Sequence, residues 1–559
     1  MMKSVFSRLV PRALFLVAGL TAPASAQSPQ PVPMAALIQE LTPEQWRADL
    51  SFLVAELERR HPDPFRHAGR GQFMAAVADL DRRIPELQRN QVIVGMMRLA
   101  AMIGDGHTRI DPRKDTRFGF PSLPLKLYLF EDGLYVRAAR PEHAGLLGAR
   151  IEAIGGVPVA EAIRRAAALA SADNAIGARL YVPLYLAMPD ILHALGLSPR
   201  REAATLDFTR DGRRWTATVP AGQIDPVWPP DTDISLITPE GWVDARQTAQ
   251  APLWLQAPLD SHRLVELPER NALYVQLNMV TDIQGQSLAA FGERIRARSA
   301  TLNPRALILD LRLNLGGNGN LRNGFVRALI RAEDEDTRLF VLTSRGTFSA
   351  SQFILDDLDR LTDAIFIGEP ASSRPSSFGD SYRSSMPNSG ISMRTSILWW
   401  QSGQNRDPWT WVDIAASLGF ADYQAGRDPA LEAALAYVPR PRFREQLVEA
   451  GAGGPEAVRQ VIAAYRADPA NIYGNQMLPI VQGAELLSAQ GRHEAALAAA
   501  EIAAASFPDS VSAALVHAIV AERSGRTEIA RQEGARVLRL DPNNRFVRPL
   551  LERLGQGAS

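Results

Sequence analysis

The sequence predicts a multidomain α/β protein: an N-terminal helical segment, a β-rich module, an α/β core built on a parallel sheet, and a C-terminal array of helices. Three observations carry this. The hydrophobic period changes along the chain, from three-and-four spacing to alternation and back to helical spacing. Between 263 and 440, short apolar strands alternate with amphipathic helices, which implies parallel strands joined by crossovers. Near the end, "GRHEAALAAAEIAAASFPDS" begins at Gly491 and "GRTEIARQEGARVLRLDPNN" at Gly525, and Pro508 and Pro542 repeat the 34-residue offset. That is the tetratricopeptide period. At 559 residues and 46% hydrophobic content the chain can bury several cores.

The N-terminus reads "MMKSVFSRLVPRALFLVAGLTAPASAQ". Lys3, Arg8 and Arg12 precede a short apolar run and a small-residue cleavage site, the pattern of a secretory signal peptide over 1–26. A secreted or periplasmic protein is expected, with no membrane span once the leader is removed. The cysteine count is zero, which excludes disulfides, thiolate catalysis and cysteine-ligated zinc. Basic and acidic residues balance at 61 each, so nothing points to nucleic acid or an anionic membrane.

Residues 27–119 read as helical. "TPEQWRADLSFLVAELERRHP" has a start signal at Thr42, and "NQVIVGMMRLAAMIGDGHT" ends where Gly104 breaks it. Residues 120–223 read as the β-rich module: "LPLKLYLFEDGLYVRAA" alternates around an Asp132-Gly133 turn, and "ATLDFTRDGRRWTATVP" is a second strand pair. Between them, "GARIEAIGGVPVAEAIRRAA" reads as strand, turn, short strand and helix. Residues 224–262, rich in Pro and Trp, are expected to be a linker. In the core over 263–440, "NALYVQLNMV", "RALILDLRL", "RLFVLTS" and "AIFIGE" are strands; "NLRNGFVRALI" and "SASQFILDDLDRL" are helices. In the latter, Ile354, Leu358 and Leu361 should face the sheet. Residues 441–559 are Ala- and Leu-rich helix.

"GTFSASQF" places Ser349 between a strand and a helix, where the carboxyl end of a parallel sheet meets a helix N-terminus. A serine there is either a nucleophile or a helix cap. "DLRLNLGGNG", at the end of the preceding strand, supplies Gly316 and Gly317, whose backbone N–H groups can face inward. With the N–H of Ala350 they form a candidate oxyanion hole for acyl transfer.

"DLRLNLGG", "TFSASQF" and "IFIGEPASSRPSSFGD" together resemble the core of the C-terminal processing, or tail-specific, serine peptidases, a superfamily that includes the tricorn core and a retinoid-binding relative. The resemblance covers about 46–437. It implies a crotonase-like α/β core beside a PDZ-like module, with "GARIEAIGGVPVAEAI" in the latter, and Ser349 as nucleophile. This chain departs from the pattern. The "ASE" of the family is Ala350-Ser351-Gln352 here, and the lysine base of tail-specific enzymes is replaced by Arg374. Arginine cannot serve as a base near neutral pH. Only three lysines occur, Lys3, Lys114 and Lys126, so no Ser-Lys dyad can form beside Ser349.

His107 in "GDGHTRI" is the candidate base, because histidine titrates near neutrality and commonly partners serine. The tricorn-like arrangement is similar, although serine stands there where this chain has Gly106. By the tricorn spacing the orienting carboxylate falls on Asp407, with Asp413 and Asp105 as alternatives. His61 and His67 flank Asp63 in "RRHPDPFRH", but no further metal ligand is near, and a structural or helix-terminus role is expected. Neither a zinc motif HExxH nor a GxSxG elbow occurs, and no metal or cofactor is expected. The sequence thus predicts a serine peptidase acting on a peptide or protein substrate, with a possible protein partner for the C-terminal repeats. The alternative is a non-catalytic binding protein on the same fold.

Overall fold

The structure, a computed structural model, describes residues 40–112, 118–222, 236–248, 251–402 and 407–556; the expected signal peptide and Lys114 lie outside them. Helix α1 (Pro43–Arg60) begins at a capping box: Thr42 accepts the Gln45 N–H and Gln45 reaches back to the Thr42 N–H. Its Leu50, Leu53 and Leu57, spaced for one face, are buried with Ile93 and Met97. Helices α2 (Arg70–Arg83) and α3 (Arg89–Met102) follow. Gly104, at φ +69°, then turns the chain into strand β1 (Arg109–Ile110).

The β-rich part holds β2 (Leu125–Phe130), β3 (Gly133–Ala139), β4 (Arg150–Ile154), β5 (Val157–Pro158), helices α4 (Val159–Ala167), α5 (Ala175–Leu186) and α6 (Pro189–Ala194), then β6 (Ala203–Arg210) and β7 (Arg213–Pro220). Strand order is β2-β3-β4-β6-β7, with β5 on β4. Strand β8 (Val243–Asp244) pairs with β3, so part of the expected linker supplies a strand to this sheet.

The core contains β9 (His262–Leu267), β10 (Ala272–Leu277), α7 (Leu288–Leu302), β11 (Ala306–Asp310), α8 (Arg322–Ile330), β12 (Arg338–Thr343), α9 (Ala350–Leu361) and β13 (Ile365–Gly368). After the hairpin β14 (Ser377–Ser385) and β15 (Ser392–Trp400), β16 (Ile414–Ala415) completes the sheet, in the order β16-β13-β12-β11-β10-β9. Every pair is parallel except β9 with β10. Strands β10 and β11 are buried at every position, as a sheet covered on both faces requires. Helix α7 is the crossover that the parallel β10–β11 pair demands, although the sequence reading did not identify it. On α9, Ile354 and Leu358 are buried as expected. Leu361 is 52% exposed, because the helix stops there, and Leu355 is buried instead.

Hairpin β14–β15 was also not foreseen. Its inner strand β15 pairs with β1, Arg109 opposite Arg394 and Ile110 opposite Met393. This pairing holds the residues just after His107 against the segment that follows the core strands. The chain continues through α10 (Phe420–Ala425), α11 (Pro429–Leu435), α12 (Phe443–Ala450), α13 (Gly454–Ala467), α14 (Leu478–Ala489), α15 (His493–Ser506), α16 (Val511–Arg523), α17 (Thr527–Leu540) and α18 (Val547–Gln556). Gly491 and Gly525 take positive φ two residues before α15 and α17, so the two copies of the repeat begin alike. Among the described residues, no helix is long and apolar enough to cross a membrane.

Candidate active site

Ser349 lies after the carboxyl end of β12, on the turn into α9, with φ 58° and ψ −123°. A non-glycine residue there costs about 1–3 kcal/mol and persists only where its surroundings enforce it. They do so with several bonds. The Phe348 N–H donates to the Asn314 carbonyl (2.9 Å), the Ser349 N–H to Ser373 Oγ (2.8 Å), and the Thr347 hydroxyl to the Leu311 carbonyl (2.8 Å). The Ser349 side chain makes no cap bond to its helix, so the capping role is not the one it fills.

Instead Ser349 Oγ lies 2.9 Å from His107 Nε2. Residues 242 positions apart meet because the β1–β15 pairing anchors one and the β12–α9 turn projects the other. The imidazole stacks on Phe348 at 4.5 Å between centroids. This accounts for Gly106: a Cβ there would come within 2.8 Å of the Phe348 ring. Burial pulls His107 below the usual histidine range, against the opposing charge of Asp105.

Asp105 is the carboxylate at this histidine. Its Oδ1 accepts the His107 backbone N–H (2.8 Å) and lies 3.8 Å from Nδ1. Its Oδ2 accepts the Ser396 hydroxyl (2.6 Å) and faces His61 Nε2 (3.3 Å). Burial would raise this carboxyl, but the bonds from His61 and Ser396 and the charge of His107 outweigh it and hold it below the usual range. Asp173, fully buried, is the opposite case. Its Oδ1 accepts the Gly106 N–H (2.7 Å), Oδ2 has no hydrogen-bond partner among the described residues, and burial together with the nearby Asp105 charge pushes it up to about 7.

The expectation for Asp407 is corrected. Its carboxylate accepts the Trp411 indole N–H (2.8 Å). It lines a different cleft, of about 820 Å³, at the amino ends of β12 and β13 rather than the carboxyl ends that hold Ser349. Asp413 lines that same cleft and accepts the Phe366 N–H. Arg374, at the lysine position, donates through Nε to the Asp173 carbonyl. Gln352, at the glutamate position, is buried and donates to Thr410 Oγ (2.6 Å) and Asp356 Oδ1 (2.8 Å).

The glycine loop also differs in detail from expectation. The Gly316 N–H is not free, because it donates to Asn314 Oδ1 (2.9 Å). Gly316 is needed for close approach: at φ +110°, a Cβ would lie 2.7 Å from Ser349 Cβ. Gly317 and Ala350 line the Ser349 cavity, and neither N–H donates to a protein acceptor among the described residues. That cavity, about 270 Å³, also has Phe353, Phe378 and Trp400 on its walls, with Asp380 accepting the Trp400 indole N–H (2.9 Å).

Sequence reasoning missed Asn314, Ser373 and Ser396, for which no local pattern gave a signal. It left His61 as a helix-terminus residue. His61 does cap the end of α1, and it also reaches Asp105.

No protein-family profile and no curated protein sequence matches the chain. Among solved structures, a CPAF mutant aligns with a TM-score of 0.50 at 12% identity, over 69% of this chain and 95% of its own. Mature CPAF complexed with lactacystin gives 0.48 at 13%, over 69% and 96%. The photosystem II D1 C-terminal processing protease gives 0.31 at 15%, over 70% and 99%. At these identities the likeness is one of fold alone.

Proposed function

We propose that the protein is a serine peptidase in which Ser349 is the nucleophile, His107 the general base and then acid, and Asp105 the carboxylate that orients His107. The observation that carries this reading is the 2.9 Å approach of Ser349 Oγ to His107 Nε2 inside a cavity lined by Gly317 and Ala350. In the first step Oγ attacks the scissile carbonyl and its proton passes to Nε2. The N–H groups of Gly317 and Ala350 hold the oxyanion. Collapse transfers the Nε2 proton to the leaving amine and leaves an acyl ester on Ser349. Water, deprotonated by His107, then releases the acid.

The same reading assigns a PDZ-like role to the β-rich module, a crotonase-like one to the core, and tetratricopeptide-like recruitment of a protein partner to the C-terminal helices. The signal-peptide pattern at the N-terminus supports export to the periplasm or the medium.

The test is labelling of the mature protein with a fluorophosphonate probe, alongside Ser349→Ala and His107→Ala. Labelling lost in both variants supports the Ser-His mechanism. A folded wild-type protein that stays unlabelled sinks it and leaves the non-catalytic binding role.

A further inference from the structure

Beneath the loop that carries His107 lies a buried side chain to which the reaction as written assigns no part. The side chain of His61 is wholly buried, at the end of α1 and 44 residues before Asp105 in sequence. Its two ring nitrogens have different partners. Nδ1 accepts the backbone N–H of Asp63 (3.1 Å), so that nitrogen carries no proton. The ring proton therefore sits on Nε2, which faces Asp105 Oδ2 at 3.3 Å as a donor. The -His-Pro-Asp- sequence thus fixes one tautomer through a local turn.

The ring is also held by aromatic packing, tilted 55° against its neighbour. His61 packs on Phe378 at 4.4 Å, Phe378 packs on Trp399 at 4.6 Å, and the Arg66 guanidinium covers Trp399 at 4.4 Å. Phe378 is itself a wall of the Ser349 cavity. His61 therefore stands between the cavity wall and the buried carboxylate. Asp105 needs such a hold. Its Oδ1 must stay turned toward His107; the His107 backbone N–H restrains that oxygen, and groups on Oδ2 fix the carboxylate from its other side. Ser396 and His61 are the groups on Oδ2, and the Thr108 side chain adds a further hydrogen bond to this carboxylate.

We infer that His61 is a positioning residue: its Nε2–H holds Asp105 in the rotamer that orients His107, extending the Ser349–His107–Asp105 chain by one buried link. This inference rests on the peptidase reading for its effect on rate, but not for the anchoring itself.

The experiment compares His61→Leu, His61→Gln and His61→Asn in the full mature chain. Glutamine can place an amide N–H near the position of Nε2, whereas asparagine places one near Nδ1. With melting temperatures matched to within a few degrees, His61→Leu and His61→Asn should slow fluorophosphonate labelling about tenfold or more, and His61→Gln should recover most of the rate. A wild-type rate in His61→Leu, or a glutamine variant as slow as leucine, overturns the inference while leaving Ser349 and His107 in place. Ring 15N shifts of His107 are read in parallel and need no activity. They should move in His61→Leu and return in His61→Gln. If wild-type protein is unlabelled, the peptidase reading falls, and unchanged His107 shifts in His61→Leu would then overturn the anchoring separately.

Discussion

The Nδ1 atom of His107 lies 3.8 Å from Asp105 Oδ1, and that oxygen already accepts the His107 backbone N–H at 2.8 Å. Among the described residues Nδ1 has no hydrogen-bond partner. Nε2, facing the Ser349 hydroxyl, must be free of a proton to act as base, so Nδ1 must carry one. A buried N–H left unpaired is costly. The gap is less than 1 Å beyond a hydrogen bond, and catalytic bonds commonly tighten only when substrate is bound. Oδ1 is placed to serve the backbone N–H and the ring together.

Asp105→Asn should therefore cost far more than any change at Asp407. It removes the charge that stabilises the imidazolium and presents an amide that competes with the donors at Oδ2. A loss of up to about 10⁴-fold in labelling rate is expected, by analogy with other serine triads. Asp407→Asn should stay within about twofold, since its partner is Trp411. Equal losses in the two variants would return Asp407 to the site.

The pH profile follows from the direction of the His107 shift. Burial lowers its pKa from the ordinary 6.5, so the base is unprotonated at and above neutrality. The acid limb of the labelling rate should have its midpoint below 6.5 and reach a plateau by about pH 7 to 8. The linkage sign agrees. Below 6.5 the unfolded chain takes up a proton that folded His107 refuses, so stability falls as pH drops through that window. A midpoint above 6.5 would mean that the Asp105 charge, not burial, dominates at His107.

Asp173 carries the opposite sign. Its folded pKa is raised to about 7 from 3.8, so its contribution to stability is complete below about 3.8 and is lost as pH rises through 7. Asp173→Asn keeps the acceptor for the Gly106 N–H and replaces the unpartnered Oδ2 with an amide beside Asp105. The variant should be more stable than wild type at pH 8, on the order of 1 kcal/mol, with little difference at pH 4. Denaturant unfolding at both values tests it. A variant less stable at pH 8 would show that the Asp173 charge is stabilised by groups other than those described.

Ser349, His107 and the glycine loop were legible because each is a local signature: a serine where a strand turns into a helix, a histidine in a glycine-rich break, and paired glycines at a strand end. The carboxylate was legible only as one of three candidates, Asp407, Asp413 and Asp105, because spacing along the chain says little about distance across it. Asp407 fits a spacing, yet its carboxylate meets Trp411 and lines a different cleft from that of Ser349. Asp105 meets His107 locally, two residues away, and the β1–β15 pairing brings Ser396 onto its other oxygen. That antiparallel hairpin has no period distinct enough to stand out in a region already read as parallel α/β. For the same reason Asn314 passed unnoticed. Its side chain joins the Leu277 carbonyl to the Gly316 N–H, and its carbonyl accepts from Phe348 and Ser351. Apart from the contact to Gly316, two residues on, these partners lie in other stretches of sequence.

The two glycines of the loop should separate in experiment. Gly316 has its N–H bound to Asn314 and its Cα against Ser349, so Gly316→Ala acts by displacement: the new Cβ would meet Ser349 Cβ at 2.7 Å and the Ala350 N at 3.0 Å. Neither neighbour is the free end of a flexible side chain, and φ +110° is strained for alanine. Labelling should fall about 10²-fold or more as Ser349 and the Ala350 N–H move off line. Asn314→Asp keeps the acceptor for the Gly316 N–H but sets a carboxylate oxygen against the Leu277 carbonyl. It should lose about 1–3 kcal/mol of stability, with a smaller effect on labelling of the protein that remains folded. Measuring unfolding and labelling on both variants tests the division. If Gly316→Ala labels at the wild-type rate, the close packing of Gly316 on Ser349 does not set the geometry of the nucleophile.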